Sequence, residues 1–275
     1  NILINLNQIK RISTQGVMRA AIFLGLGVNA ARDKSFVHYQ LPEISHLRLV
    51  PENATETQLA DFKDNFEKWI ISNGLRELVE SYAVFLDEIF QASLWFATSK
   101  ELIKAEEANK LLKSFKKIGV EGKLKSLRTH FNISTAKEKY FSSINQARNC
   151  ITHRRGKVGQ EDLRDKEKFE LVWWAFELIA RSTDGQEISL TPPLPKEGIL
   201  IESGGSIYLK VIDKIKEYNL GDFLKFSPSE LNEICLLFQL ATDDIIKSTV
   251  TYSKSIGIQI AEQTNPADPA QAPGS

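Results

Sequence analysis

The chemistry-bearing residues of this chain crowd into one short run, Arg148-Asn149-Cys150-Ile151-Thr152-His153-Arg154-Arg155-Gly156. The run holds an imidazole, three guanidiniums and a carboxamide, a set suited to a phosphodiester. Guanidiniums clamp charged phosphate oxygens, and an imidazole that titrates near neutrality moves protons. In RNA the 2′-hydroxyl is itself a nucleophile. Cleavage there asks for proton transfer and stabilisation of a charged transition state, and no metal is required. A structural reading stands beside the chemical one: Arg148 as a salt-bridge partner for another helix, and His153 as a cation at a helix C-terminus, where positive charge is favoured.

Other chemistries lack their signatures. There is no GxxxxGK[ST] phosphate loop, and Gly25-Leu26-Gly27 lacks the third glycine and the βαβ setting of a dinucleotide fingerprint. HExxH and GxSxG are absent, and the acidic pairs Asp243-Asp244 and Glu161-Asp162 have no neighbouring His or Cys to complete a metal site. The expectation is a protein with no cofactor and no metal. Cys150 and Cys235 stand alone, without a CxxC motif, which suits a reducing, cytoplasmic setting. Cys150 reads as a small buried hydrophobe.

The elements that must position the run are mostly helical. Leu59, Phe62, Phe66, Trp69 and Ile70 recur at steps of three and four behind a Thr55–Gln58 capping box. After Asn73-Gly74 a second pattern runs from Leu75 to about Thr98, and the two segments predict an antiparallel helical hairpin. A charged helix is expected over Lys100 to Lys117, a break at Gly119–Gly122, and a short basic helix over Lys123 to His130. The next helix begins near Ser134, and its seam of Ala136, Tyr140, Phe141, Ile144, Ala147 and Ile151 is that of a bundle helix. Ala20 to Val28, behind Lys10 and Arg11, loosely imitates a signal peptide. It is too short to span a bilayer and reads as a buried first helix or loop.

Downstream the character changes. Phe169 to Ile179 is rich in aromatic and branched residues, and Thr183-Asp184-Gly185-Gln186 offers a turn before Ile188, which predicts a β-hairpin with a helix as the alternative. A second short β element is expected between Ser206 and Phe226, with alternation at Ile207, Leu209 and Val211. Trp173-Trp174 should divide between core and surface. Ser227-Pro228-Ser229-Glu230 caps a long helix that continues to about Ser255. The expected whole is a single, mainly α domain over 1–260, an antiparallel helical bundle with a small β elaboration at about 168–226. A flexible tail over 261–275 follows.

The chain has 275 residues, is 42% hydrophobic and balances 35 Lys+Arg against 35 Asp+Glu, which places it in the globular class and excludes disordered, disulfide-built and collagen-like chains. Charge is informative locally. Lys100 to Lys157 holds eleven Lys and four Arg against five acidic residues, a net +10 in a neutral chain. A polyanion is the natural partner for such a stretch. Solvated helix faces are the alternative for Lys100 to Lys117 alone.

The R-x4-H spacing of Arg148 and His153, with Asn149 directly after the Arg, resembles the signature of HEPN domains (higher eukaryotes and prokaryotes nucleotide-binding). The stretch from Tyr140 to Gly159 resembles uncharacterised bacterial HEPN-like proteins. This resemblance implies an antiparallel helical bundle, frequently a homodimer, with many members acting as metal-independent ribonucleases in toxin–antitoxin, phage-defence and RNA-processing settings; others show no nuclease activity. It maps the family's Arg and His onto Arg148 and His153, and its polar residue onto Asn149. On this reading His153 is the general base or acid at the 2′-hydroxyl and Arg148 stabilises the phosphorane-like transition state. Asn149 would orient the phosphate or the imidazole, Arg154, Arg155 and Lys157 would bind RNA phosphates, and the products would carry 2′,3′-cyclic phosphate ends. The implied partners are a second copy, RNA, and an antitoxin or other protein, with no membrane. The alternative is a non-catalytic HEPN-like module that dimerises and binds a protein, nucleotide or RNA.

A second Arg–His pair, Arg32 and His38, lacks the following Asn and the bundle helix. Geometry adds a constraint to the first pair. Five residues on a helix are about 140° of rotation, so Arg148 borders the apolar seam while His153 points away from it, and Asn149 shares a face with His153. A two-fold pair of such helices could bring all of them to one cleft.

Overall fold

The computed structural model describes residues 4–37, 39, 53–164, 166–190, 198 and 204–259. These residues form seven helices, α1 (Leu6–Arg32), α2 (Glu56–Ser99), α3 (Ala105–Phe115), α4 (Val120–Phe131), α5 (Glu138–Arg154), α6 (Gln160–Leu163) and α7 (Pro228–Ser255), and three strands, β1 (Phe169–Ser182), β2 (Glu187–Ser189) and β3 (Gly205–Tyr218). The fold is mainly helical with one small antiparallel sheet in the order β2-β1-β3. The expected tail over 261–275 and the connector at 191–195 lie outside the described residues.

The helical hairpin expected around Asn73-Gly74 is not formed. Those residues sit inside one 44-residue helix, α2, which opens at the Thr55–Gln58 capping box. Asn73 spends its side-chain amide on the helix itself, donating to the Trp69 carbonyl at 2.8 Å. Gly74 is buried for packing: a Cβ there would lie 2.6 Å from the Leu24 side chain of α1. Gly16 and Gly27 of α1 likewise face Ser81 and Ile70 of α2, so the two helices run antiparallel at close approach. Gly74→Ala is therefore expected to cost about 1–3 kcal/mol of stability through overpacking, despite alanine's better helix propensity. Chemical denaturation midpoints check it.

α7 follows its sequence signals, with Ser227 and Glu230 forming the reciprocal cap and Pro228 at the first helical position. It meets α1 through the buried Ser13–Thr242 hydroxyl pair at 2.7 Å. Stacking of Tyr82 on Phe141 at 4.8 Å, with Phe238 edge-on to both, joins α2, α5 and α7 in the core. α4 starts earlier than expected because Gly119 serves as its N-cap and Gly122 lies within the helix.

The sheet covers one side of this core. β1 is a strand and pairs with β3 along fourteen residues, so the second β element is longer than the sequence pattern suggested. Trp173 and Trp174 are both buried and do not divide between core and surface. Trp173 donates its indole N–H to Glu233 of α7 at 2.8 Å, and Trp174 packs against Phe176 beneath Lys137. α5 is fixed to β1 by Ser143, whose hydroxyl donates to the Val172 carbonyl at 2.8 Å and accepts from the Val172 amide at 3.1 Å. No described helix is long and apolar enough to cross a membrane.

Candidate phosphodiester site at the end of α5

α5 buries Tyr140, Phe141, Ile144, Ala147, Cys150 and Ile151, which leaves its opposite face for polar groups. Ser142, Gln146, Asn149 and His153 follow at spacings of four, three and four, so they form one stripe on that opposite face. His153 is exposed and Asn149 half-buried. Arg148 is half-buried at the border of the apolar face; one guanidinium nitrogen donates to the Asn149 carboxamide oxygen at 3.0 Å, while its Nε is enclosed without a hydrogen-bond partner among the described residues. Within one chain, then, Arg148 bonds Asn149, and no hydrogen bond among the described residues joins it to His153.

The helix ends in left-handed backbone. Arg155 has φ 53 and Gly156 φ +80, and the Gly156 amide returns to the Cys150 carbonyl at 3.2 Å. The second of these positions suits glycine, which pays no Cβ penalty there. The chain is then zipped to a distant loop. Leu224 N–H donates to the Gly156 carbonyl at 2.8 Å, Val158 N–H to the Asp222 carbonyl at 2.9 Å and Gly221 N–H to the Val158 carbonyl at 3.0 Å. These bonds leave Arg155 and Lys157 exposed on either side of a buried Gly156.

Arg154 has a different role from its neighbours. Its Nε donates to Asp162 at 2.9 Å, a second nitrogen bonds the other Asp162 oxygen, and a third reaches Glu161 at 2.9 Å. Asp162 is 2% exposed and also accepts the Gly159 amide at 2.9 Å. Arg154, expected to bind RNA phosphate, has its donors engaged by carboxylates that pin the loop. Asp162 is the functional neighbour that the sequence pattern did not mark, since Glu161-Asp162 reads as an isolated acidic pair. The spacing of Gly159 and Asp162, an acid three residues into a helix start, was the available signal.

Burial pushes the Cys150 thiol up to about 12, helped by the Asp162 charge, and its S–H donates to the Lys157 carbonyl at 3.3 Å. A thiolate nucleophile is thus not available at this residue. Further back along the stripe, Arg164 donates to the Ser142 hydroxyl at 3.1 Å beside a cavity of about 230 Å³. Arg32 is bound to Glu67 and His38 lies outside the described residues, so that pair assembles no described site.

The basic stretch separates into two kinds of cation. Lys123, Arg128, Lys137 and Lys139 are paired with Asp87, Glu138, Asp244 and Asp213. Lys113, Lys116, Lys117 and Lys125, on α3, α4 and the turn between them, are exposed and ion-paired to no described residue. No family model, curated protein or solved structure matches the chain.

Proposed function

We propose that this protein is a HEPN-like, metal-independent endoribonuclease whose active site is assembled from two copies of α5. The observation that carries the reading is the stripe of half-buried Asn149 and exposed His153 ending beside Arg155 and Lys157, which no described residue ion-pairs, with Arg148 held against Asn149. His153 of one copy takes the 2′-hydroxyl proton, and the 2′-oxygen attacks the adjacent phosphorus. Arg148 of the other copy stabilises the added negative charge on the phosphorane. The bond from phosphorus to the 5′-oxygen breaks, and a histidine returns a proton to that leaving oxygen. The products are a 2′,3′-cyclic phosphate and a 5′-hydroxyl.

The test is incubation of labelled RNAs in EDTA with wild-type protein and with the Arg148→Ala, His153→Ala double variant, after both are shown to fold and to have the same mass in solution. Cleavage by wild type alone, leaving cyclic-phosphate ends, supports the reading. A second reading, a non-catalytic interaction module, draws on the Arg148–Asn149 bond, which spends a guanidinium donor within the chain. On that reading no RNA is cut, and His153→Ala weakens binding or stability with no turnover to lose.

The exposed lysines of α3, α4 and the turn between them, ion-paired to no described residue, give the RNA an electrostatic hold apart from the chemistry. Replacing Lys113, Lys116, Lys117 and Lys125 by Gln is expected to flatten the dependence of log affinity on log salt by about 0.7 for each lost phosphate contact. Cleavage at saturating RNA should stay unchanged. Titration of a labelled single strand at several salt concentrations measures the slope.

A further inference from the structure

β3 is fourteen residues long and lies at the edge of the sheet. The bond from the Thr183 amide to the Gly204 carbonyl sets the alternation along the ladder, so even-numbered residues of β3 turn their amides and carbonyls toward β1. Ile207, Leu209, Val211, Asp213 and Ile215 turn theirs outward. Among the described residues no strand takes up that outer edge. The equivalent open edge of β1 is satisfied at Val172 by the Ser143 hydroxyl, and no described side chain does the same for β3.

The same odd-numbered residues carry apolar side chains into solvent: Ile207 is 66% exposed, Leu209 60%, Val211 55% and Ile215 61%. Natural edge strands are normally protected by unpaired lysines, proline, bulges or a covering element. β3 contains no proline, its register with β1 is unbroken, and its lysines are neutralised on the other face. Lys210 is paired with Glu187, Lys214 with Glu233 and Lys216 with Glu230.

We infer that β3 pairs antiparallel with β3 of a second copy about a two-fold axis at Leu209, joining the two sheets into one of six strands. This register sets Leu209 against its own equivalent and Ile207 against Val211, gathering six apolar side chains on one face. It also sets Lys210 of each copy opposite the uncharged Tyr208 of the other, so no two like charges meet at the axis. An axis at Lys210 would instead oppose two lysines. The self-complementary order of these residues favours a second copy over an unrelated peptide. This contact is separate from the α5 pairing of the cleavage reading and stands whether or not RNA is cut.

The test is the mass in solution of the full chain, by sedimentation equilibrium, for wild type, Leu209→Lys and a control, Leu26→Asp, on the exposed outer side of α1. The expected result is that Leu209→Lys halves the assembly mass and leaves the circular dichroism spectrum unchanged, while Leu26→Asp keeps the wild-type mass. Hydrogen exchange at Ile207, Leu209 and Val211 should be slow in concentrated wild type and fast in Leu209→Lys. A monomeric wild type, a mass unchanged by Leu209→Lys, or a mass halved by Leu26→Asp alone would overturn the inference.

Discussion

His153→Ala is expected to lower RNA cleavage by about 10²–10⁴-fold, the usual contribution of a positioned proton-transfer group. The fold should be unaffected, because the side chain is exposed and makes no hydrogen bond to a described residue. Arg148→Ala should also abolish measurable turnover. The informative experiment mixes the two inactive variants. Arg148 and His153 lie about 140° apart on α5, and in the proposed two-copy site each working pair draws one residue from each copy. After exchange of subunits, half the dimers are mixed and each carries one intact Arg–His pair, which should restore about a quarter of wild-type activity. A site built within a single chain would stay dead in the mixture. Rates of cyclic-phosphate formation before and after subunit exchange decide between them.

Arg154→Ala is expected to have the opposite profile, a loss of about 3–5 kcal/mol of stability, because it strands the Asp162 carboxylate in a buried site without its cation. Such a loss is a large fraction of the 5–15 kcal/mol that holds a typical domain together. Asp162 is 2% exposed, and its remaining bond from the Gly159 amide does not replace a bidentate guanidinium. Arg155→Ala and Lys157→Ala remove exposed cations, so they should reduce RNA affinity with unfolding midpoints nearly unchanged. Three neighbouring basic residues are thus separable by denaturant titration and RNA binding measured on the same preparations. A stable, weakly binding Arg154→Ala protein would refute the structural assignment.

Signals carried by local backbone chemistry were readable in the sequence, and those decided by distant neighbours were not. The Ser227–Glu230 and Thr55–Gln58 boxes specify helix starts through side chains three residues apart, and both helices begin there. The turn at Thr183–Gln186 needs only its own residues to reverse the chain, and β2 returns to β1 after it. Asn73-Gly74 carries the local mark of a turn, yet Leu24 of α1, fifty residues earlier in the sequence, makes Gly74 a packing position inside a long helix. The candidate site divides the same way. The spacing of Arg148, Asn149 and His153 on one helix follows from the sequence, whereas the capture of Arg154 by Asp162 depends on the loop folding back.

The zipper between residues 156–158 and 221–224 has a consequence for when the site comes into being. Loop closure between segments so far apart in the chain carries an entropic cost that local helix formation does not. During synthesis α5 emerges and coils well before its last turn acquires these backbone partners. The geometry around Arg155 and Lys157 is therefore fixed only after both long strands have been made and have paired, with the loop beyond β3 in place. A ribosome-bound chain stopped short of that loop holds every residue of the candidate site but not the final placement of Arg155 and Lys157.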